Sequence, residues 1–109
     1  MINPVIRFEK SEANKKEKIL EALTKFGDAF VFYRKIKAKG TTHFACTADF
    51  STPYVAHKLA TSKPMKVGED EILVFNWAQD QFRVLPVSHI FKVEHLGTAV
   101  NNARVSTKL

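Results

Sequence analysis

The side chains that most often carry out acid–base or metal chemistry are scattered through this sequence. Its four His residues, the obvious general bases, are His43, His57, His89 and His95. No two of them have the spacing that places two metal ligands on one helical face. His89 and His95 would share one side of a strand, but no third ligand accompanies them. We therefore expect no metal site.

Other catalytic arrangements are also missing. Asp49, Ser51 and His57 are close in sequence, but no nucleophile elbow, paired acids or oxyanion glycines accompany them. Turn and helix-cap chemistry explains Asp49 to Pro53 better. The four Gly residues are too far apart to form a phosphate-binding loop. We expect a protein that is not an enzyme and that holds no cofactor.

Cys46, the single cysteine, lies in the apolar run from His43 to Thr47. It has no partner for an internal disulfide, and one cysteine does not make a cysteine-based metal site. We interpret it as a small buried hydrophobic residue.

Basic side chains are concentrated in the middle third of the chain. The formal net charge is +6, and residues 31–67 carry seven basic side chains against a single acidic one, Asp49. The seven are Arg34, Lys35, Lys37, Lys39, Lys58, Lys63 and Lys66. Such a cluster attracts polyanions and also steers an acidic protein partner. The alternative is a solvated face that keeps the protein soluble.

Aromatic residues are interleaved with these cations. Tyr33, Phe44 and Tyr54 lie among them, and Trp77 precedes a polar turn. On an open surface such a ring stacks on an unpaired base, which is worth about 1 to 3 kcal/mol, or anchors a protein partner. The alternative for Trp77 is a barrel residue that packs against the N-terminal helix.

The N-terminal part of the chain predicts one helix. From Glu12 to Phe26 the apolar residues, among them Ile19 and Leu23, recur at helical spacing. Ser11 is suited to the N-cap and Gly27 to the C-terminal end of this helix.

A β pattern follows the helix. Two runs rich in aromatic and β-branched residues, Ala29 to Ile36 and His43 to Thr47, flank the turn residues Ala38 to Gly40 and predict a hairpin. Ser51-Thr52-Pro53 is typical of a helix start, so residues 53–59 are predicted to form a short helix. Residues 60–70 lack periodicity and predict a loop.

The C-terminal part predicts three more strands. Glu71 to Trp77 and Phe82 to Leu85 form a second hairpin. Val87 to His89 makes one tight turn into a strand from Ile90 to Leu96. From Gly97 onward the residues are small and polar, which predicts a disordered tail.

These elements predict an α+β fold that is mainly β, with an N-terminal helix packed on a small five-stranded barrel of the SH3-like or Sm-like type. We expect a single domain over residues 1–96 and a disordered tail over residues 97–109. No segment approaches the roughly 18 apolar residues of a membrane span, and the first residues lack the pattern of a secretory signal. We therefore expect no membrane contact and a cytoplasmic location.

Short motifs add a resemblance to known families. The C-terminal block resembles the signature of WYL-type domains, in which a strand, an aromatic-Arg pair and an Ile-x-x-Val-Glu ending succeed one another; the matching stretches are Ile72 to Trp77, Phe82 to Ile90 and Lys92 to Glu94. The first hairpin looks like that of a little-characterised family of bacteriophage proteins assigned an Sm-like barrel related to WYL domains; the stretches are Phe32 to Lys35, Gly40 and Phe44 to Thr47.

The resemblance implies a barrel fold and a phage origin but no particular activity. WYL domains in general are associated with regulators that sense ligands or nucleic acid, frequently through basic side chains on the barrel. Arg83 matches the aromatic-Arg step of these domains, so we add it to the candidate cations.

Two functions from different classes are open at this point. The first is binding of RNA or DNA, with weak sequence preference, by the candidate cations. The second is a phage host-takeover or anti-defence module whose basic hairpin docks on an acidic host protein, with Phe50, Tyr54 and Trp77 as candidate anchors. Self-association through an exposed barrel edge, as in Sm-like proteins, is a further option.

Overall fold

The computed structural model describes residues 4–97. This part of the chain forms six strands, two helices and a short 3-10 turn. In chain order they are β1 (Val5–Arg7), α1 (Lys15–Phe26), β2 (Asp28–Arg34), β3 (Thr41–Thr47), α2 (Pro53–Thr61), β4 (Glu71–Asn76), β5 (Gln81–Pro86), the turn at Val87–His89 and β6 (Ile90–His95). Apart from Gly97, the tail for which disorder was predicted lies outside the described residues.

All six strands belong to one antiparallel sheet, in the order β1-β6-β2-β3-β4-β5. Strands β1 and β5 form its two edges, and within residues 4–97 they do not pair with each other. The predicted class, α+β and mainly β, is confirmed. The sheet has one strand more than the five predicted, and its pairing is open. No described helix is long and apolar enough to cross a membrane.

Strand β1 is the element that the sequence analysis missed. It is three residues long and pairs with β6, with Val5 opposite Glu94 and Arg7 opposite Lys92. A strand this short carries no readable alternation of apolar and polar residues. It forms because β6 offers backbone hydrogen-bonding groups along its free side.

Helix α1 covers one side of the sheet, which we call the inner face. Its residues Ile19 and Leu23 are fully buried in the main core with Val31 of β2 and Val93 of β6. Burying this apolar stripe against the strands stabilises both layers, because apolar area is removed from water.

Helix α1 begins later than predicted. Ser11 precedes it, and Asn14 is the N-cap residue with a φ of 55°. Glu12 belongs to the turn before the helix, where it accepts a hydrogen bond from the Glu9 N–H at 3.1 Å and pairs with Lys18 at 3.0 Å.

Helix α2 covers part of the opposite, outer face of the sheet. Val55 of the helix is fully buried with Phe75 of β4 and Phe82 of β5, and Phe50 and Met65 pack around them. The helix starts at Pro53, as predicted from Pro in the first turn. Among the described residues this second core includes none from β6, β2 or β3.

Candidate functional site

Side chains along β2 alternate between the two faces of the sheet. Ala29, Val31 and Tyr33 are buried in the main core. Phe30 and Phe32 therefore point to the outer face, where they are only partly buried. Two large apolar rings are thus set on a part of the sheet that the core of α2 does not reach.

Four rings meet on this part of the sheet, Phe30, Phe32, His43 and Phe91, which we call the outer aromatic face. Phe32 and His43 stack, with centroids 4.7 Å apart and planes inclined by 20°. Phe30 meets His43 edge-on at 5.5 Å, and Phe91 lies 6.3 Å from Phe32. His43 is exposed, and the other three rings are partly buried.

Strand register brings these rings together. Phe32 lies opposite His43 on β3 and opposite Lys92 on β6. The β2–β6 register shifts between Phe32 and Tyr33, so that Tyr33 lies opposite Ile90 and no residue of β2 lies opposite Phe91. An irregularity of this kind re-aims a side chain, and here it leaves Phe91 beside Phe32.

Two cations lie against the rings of the outer aromatic face. The Lys92 Nζ is 4.0 Å from the centroid of Phe32, and the guanidinium carbon of Arg34 is 5.4 Å from the centroid of Phe91. Within residues 4–97 neither cation forms an ion pair with a carboxylate. Both charges are therefore available to an anionic ligand.

Three further lysines extend the positive charge beyond the end of β2. Lys35, Lys37 and Lys39, which we call the turn lysines, occupy the connection from β2 to β3 and are exposed. The Lys35 N–H donates to the Gly40 carbonyl at 3.0 Å. Gly40 has a φ of 100°, a backbone conformation that residues with a side chain rarely adopt. The turn lysines thus lie in a turn that begins directly after Arg34, at the end of β2.

Lys58 is neutralised by its surroundings. Its Nζ lies 3.0 Å from the Asp80 Oδ2, and the Tyr54 hydroxyl donates to the Asp80 Oδ1 at 2.6 Å. The hydrogen bonds from Tyr54 and Lys58 hold the pKa of Asp80 below its ordinary value. The same contacts with Asp80 raise the pKa of Tyr54 and of Lys58. Lys58 therefore contributes little positive potential of its own.

The other predicted cations lie apart from the outer aromatic face. Lys63 and Lys66 follow α2 and are exposed, and Lys63 lines a cleft of about 320 Å³ together with Lys58. Arg83 lies on β5 with its guanidinium carbon 5.9 Å from the ring of Phe44, a residue of the main core. The structure therefore divides the predicted cations into one group at the end of β2 and another around α2 and β5.

The two aromatic candidates of the strands have different environments. Tyr33 is only 6% exposed and packs edge-on against Phe44 at 5.7 Å, so it belongs to the core and we leave it out of the site. Trp77 is 38% exposed. Its Nε1 donates to the Asp28 Oδ1 at 2.9 Å, and its ring meets that of Phe75 at 5.1 Å. These contacts are with β2 and β4 and not with α1.

Trp77 and Tyr54 line a cleft of about 520 Å³ near the start of α2. Two carboxylates, Asp28 and Asp49, line the same cleft. Hydrogen bonds from the side chain and backbone of Ser51 hold the pKa of Asp49 below its ordinary value. The cleft is therefore negatively charged, which disfavours phosphate beside these two rings.

Reactive groups do not converge on a common centre. Cys46 is buried, and burial raises the pKa of its thiol to about 12. The His89 Nδ1 lies 3.0 Å from the Arg34 carbonyl oxygen. In the part of the chain that the structure describes, no three His, Cys, Asp or Glu side chains come together in a way that could hold a metal ion.

The outer aromatic face and Lys92 were not predicted from the sequence. Alternation along β2 is visible in the sequence, but apolar residues occupy both sets of positions, so the pattern does not show which set faces solvent. Lys92 lies in residues 68–96, where acidic side chains outnumber basic ones. Its neighbours in sequence are thus different from its neighbours in space.

Comparisons with known proteins add no family to this description. The chain matches no known protein family, no curated protein and no solved structure. The candidate site therefore rests on its own geometry.

Proposed function

We propose that this protein binds nucleic acid, RNA or DNA, with weak sequence preference, through the outer aromatic face and the turn lysines. The observation that carries the proposal is the placement of Arg34 and Lys92, which lie against rings and have no carboxylate partner within residues 4–97. Such cations attract phosphates, and the rings offer bases a surface for stacking.

Charge supports a modest, salt-dependent affinity. Arg34, Lys92 and the turn lysines, with Arg7 opposite Lys92 on β1, would make about four to six phosphate contacts and give a slope of log affinity against log salt of about −3 to −5. Most of these cations are lysines, which act as point charges and carry little base specificity. We propose a binding role for the site and no catalytic one.

A charge-neutralising variant tests the proposal. The double substitution Lys35→Gln with Lys37→Gln removes two turn lysines that hold no ion pair in the described part of the chain. Fluorescence anisotropy with labelled oligonucleotides between 50 and 200 mM salt should show weaker binding and a slope less steep by roughly 1.4 to 1.8. The melting temperature should not change, because both side chains are exposed.

The matched control removes the same charge from another surface. Lys18→Gln with Lys25→Gln acts on α1, where these lysines pair with Glu12 and Glu21. This control should leave the salt slope as it is in the parent protein. Equal losses in the two double variants would show that net charge matters and the turn does not. Absence of any complex with RNA or DNA at low salt would reject the proposed function.

Binding to an acidic host protein is the competing proposal. Tyr54 and Trp77 are exposed enough to anchor a partner, at 53% and 38%. Asp28, Asp49 and Asp80 lie near them. The surface around these rings is therefore negatively charged, whereas the turn lysines are positively charged. Affinity purification after nuclease treatment distinguishes the proposals. A stoichiometric protein that stays bound at high salt would favour the host-takeover module.

The barrel and the phage relationship are also proposals. The strand order β6-β2-β3-β4-β5 and the 3-10 turn directly before β6 support an SH3-like or Sm-like barrel. No comparison bears on the resemblance to WYL domains or to phage proteins, and the cytoplasmic location stays a prediction. Self-association through an exposed sheet edge also stays a proposal; because β1 pairs with β6, the two edges of the sheet are β1 and β5.

A further inference from the structure

We infer that the outer aromatic face recognises unpaired bases, so that the ligand is single-stranded nucleic acid and not a duplex. This inference rests on the proposed function and adds the class of ligand. Its basis is the stack formed across three strands by Lys92, Phe32 and His43.

One end of the stack is open, and at the other end the Lys92 ammonium can be displaced by a ligand. Phe32 has His43 at 4.7 Å and the Lys92 ammonium at 4.0 Å. His43 is exposed, and within residues 4–97 its only other ring neighbour is Phe30, which meets it edge-on at 5.5 Å. A flat, uncharged ring can therefore extend the stack beyond His43.

Lys92 provides a second position for a base. Its ammonium occupies the face of Phe32 without an ion pair in the described part of the chain. A cation–π contact that is not fully desolvated is weak, and lysine has a long flexible stem. When a base stacks on Phe32, the ammonium can move to the adjacent phosphate and neutralise it. One residue then contacts the backbone while its neighbour contacts the base.

Arg34 and Phe91 repeat this arrangement beside the stack. The guanidinium lies 5.4 Å from the centroid of Phe91, and Phe91 lies 6.3 Å from Phe32. Around Phe32 and Phe91 the outer aromatic face thus places ring surface next to positive charge that forms no ion pair within residues 4–97, while its one carboxylate in the β2–β6 ladder, that of Glu94, lies opposite Phe30. Rings next to cations complement the alternation of base and phosphate along a strand. A duplex offers only its phosphates to such a face, because its bases are already paired and stacked.

An experiment with matched oligonucleotides tests the inference. Anisotropy is measured for the full chain with a labelled 12-nucleotide oligo(dT) or oligo(U) and with a 12-base-pair duplex at the same salt. We expect the single strand to bind at least about tenfold more tightly. His43→Ala should weaken single-strand binding about 5- to 150-fold, the range for loss of one stacked ring, and should leave duplex binding unchanged.

Two further variants separate a stacking role from a structural one. His43→Phe keeps an aromatic ring at the end of the stack and should retain single-strand affinity. Tyr54→Ala removes another exposed ring, on α2, and should not change this affinity.

The outcomes distinguish this inference from the proposed function. Equal affinity for duplex and single strand, with no effect of His43→Ala, would overturn the stacking inference and leave nucleic-acid binding in place. A large fall in melting temperature in His43→Ala would overturn it as well, because the ring would then serve the fold. Absence of binding to either oligonucleotide would reject both.

Discussion

Lys92 and Phe32 are opposite each other in the β2–β6 ladder, and the Lys92 ammonium lies 4.0 Å from the centre of the Phe32 ring. The contact joins a positive charge to an aromatic surface on the part of the outer face that the second core does not include. In an aqueous setting it is worth about 0.5 to 1 kcal/mol, too little to account for the fold. The proposed single-stranded ligand would therefore displace this contact at little cost in free energy.

Lys92→Met is predicted to separate the charge of this contact from its packing. Methionine preserves an unbranched apolar stem against Phe32, so the melting temperature should change little. Loss of one phosphate contact should make the salt slope less steep by roughly 0.7 to 0.9. Anisotropy over a salt series measures it. An unchanged slope would mean that Lys92 does not contact phosphate.

Asp80→Asn is predicted to affect α2 and not the outer aromatic face. The variant frees Lys58 from its ion pair at 3.0 Å, and asparagine tolerates the φ of 55° at this position. If Lys58 lies outside the nucleic-acid surface, affinity should stay nearly constant despite the added positive charge. Clear tightening of binding would place Lys58 in the interface.

The same variant has a spectroscopic readout. The pKa of Tyr54 is raised chiefly by the hydrogen bond to Asp80. Without that carboxylate the phenol should ionise at lower pH. Ultraviolet titration of tyrosinate follows the change, with Tyr54→Phe used to assign the signal. A titration curve identical to that of the parent protein would contradict the observed contact.

Cys46 is predicted to resist thiol reagents until the protein unfolds. Burial raises its pKa from 9.0 to about 12, and the reactive form is the thiolate. In buffer a disulfide-exchange reagent should react with the Cys46 thiol only as fast as the folded protein opens and exposes it. In denaturant the reaction should be rapid. Fast reaction with the folded chain would show that the thiol is accessible.

The raised pKa also predicts loss of stability at alkaline pH. Above about 9 the unfolded chain loses the thiol proton while the folded chain retains it, so Cys46 favours unfolding increasingly as pH rises towards about 12. The slope is at most about 1.4 kcal/mol per pH unit. Urea titrations of the parent and of Cys46→Ala should diverge over this range, with the parent losing more stability.

Lys15 is predicted to be a poor contributor to stability at neutral pH. It is 5% exposed, and within residues 4–97 its Nζ reaches only the Lys10 and Ser88 carbonyl oxygens, each at 3.4 Å. Its pKa is lowered mainly by burial and secondly by the positive charge of Arg34. Lys15→Met keeps the buried stem and should be as stable as the parent or more so.

The pH dependence of Lys15 has a defined sign. Because the folded state binds this proton less tightly than the unfolded chain, the parent should gain stability relative to Lys15→Met as pH rises towards 10.5, the ordinary lysine value. Chemical denaturation of both proteins at neutral and alkaline pH measures the difference. A marked loss of stability in Lys15→Met at pH 7 would show that the two carbonyl contacts outweigh the cost of burial.

The sequence determined most of the local structure of this protein. The hairpin of β2 and β3, the start of α2 at Pro53 and the tight turn at Val87–His89 all follow from residues that are neighbours in the chain. Glycine in the turn, proline at a helix start and the alternation of strand residues act over a few positions, so the sequence carries them directly. Element ends were less well determined, as Asn14 in place of Ser11 at the N-cap shows.

Tertiary structure alone decided which rings face solvent. Tyr33 and Phe32 are adjacent aromatic residues of β2, but Tyr33 is buried and Phe32 lies on the outer aromatic face. Lys58 lies in the basic part of the sequence, but Asp80 neutralises it. Lys92 lies in an acidic part of the sequence, but it forms no ion pair within residues 4–97. Alternation is symmetric between the two faces of a strand, and ion pairs form between distant residues. Only the packing of α1 and α2 and the register of β6 break that symmetry.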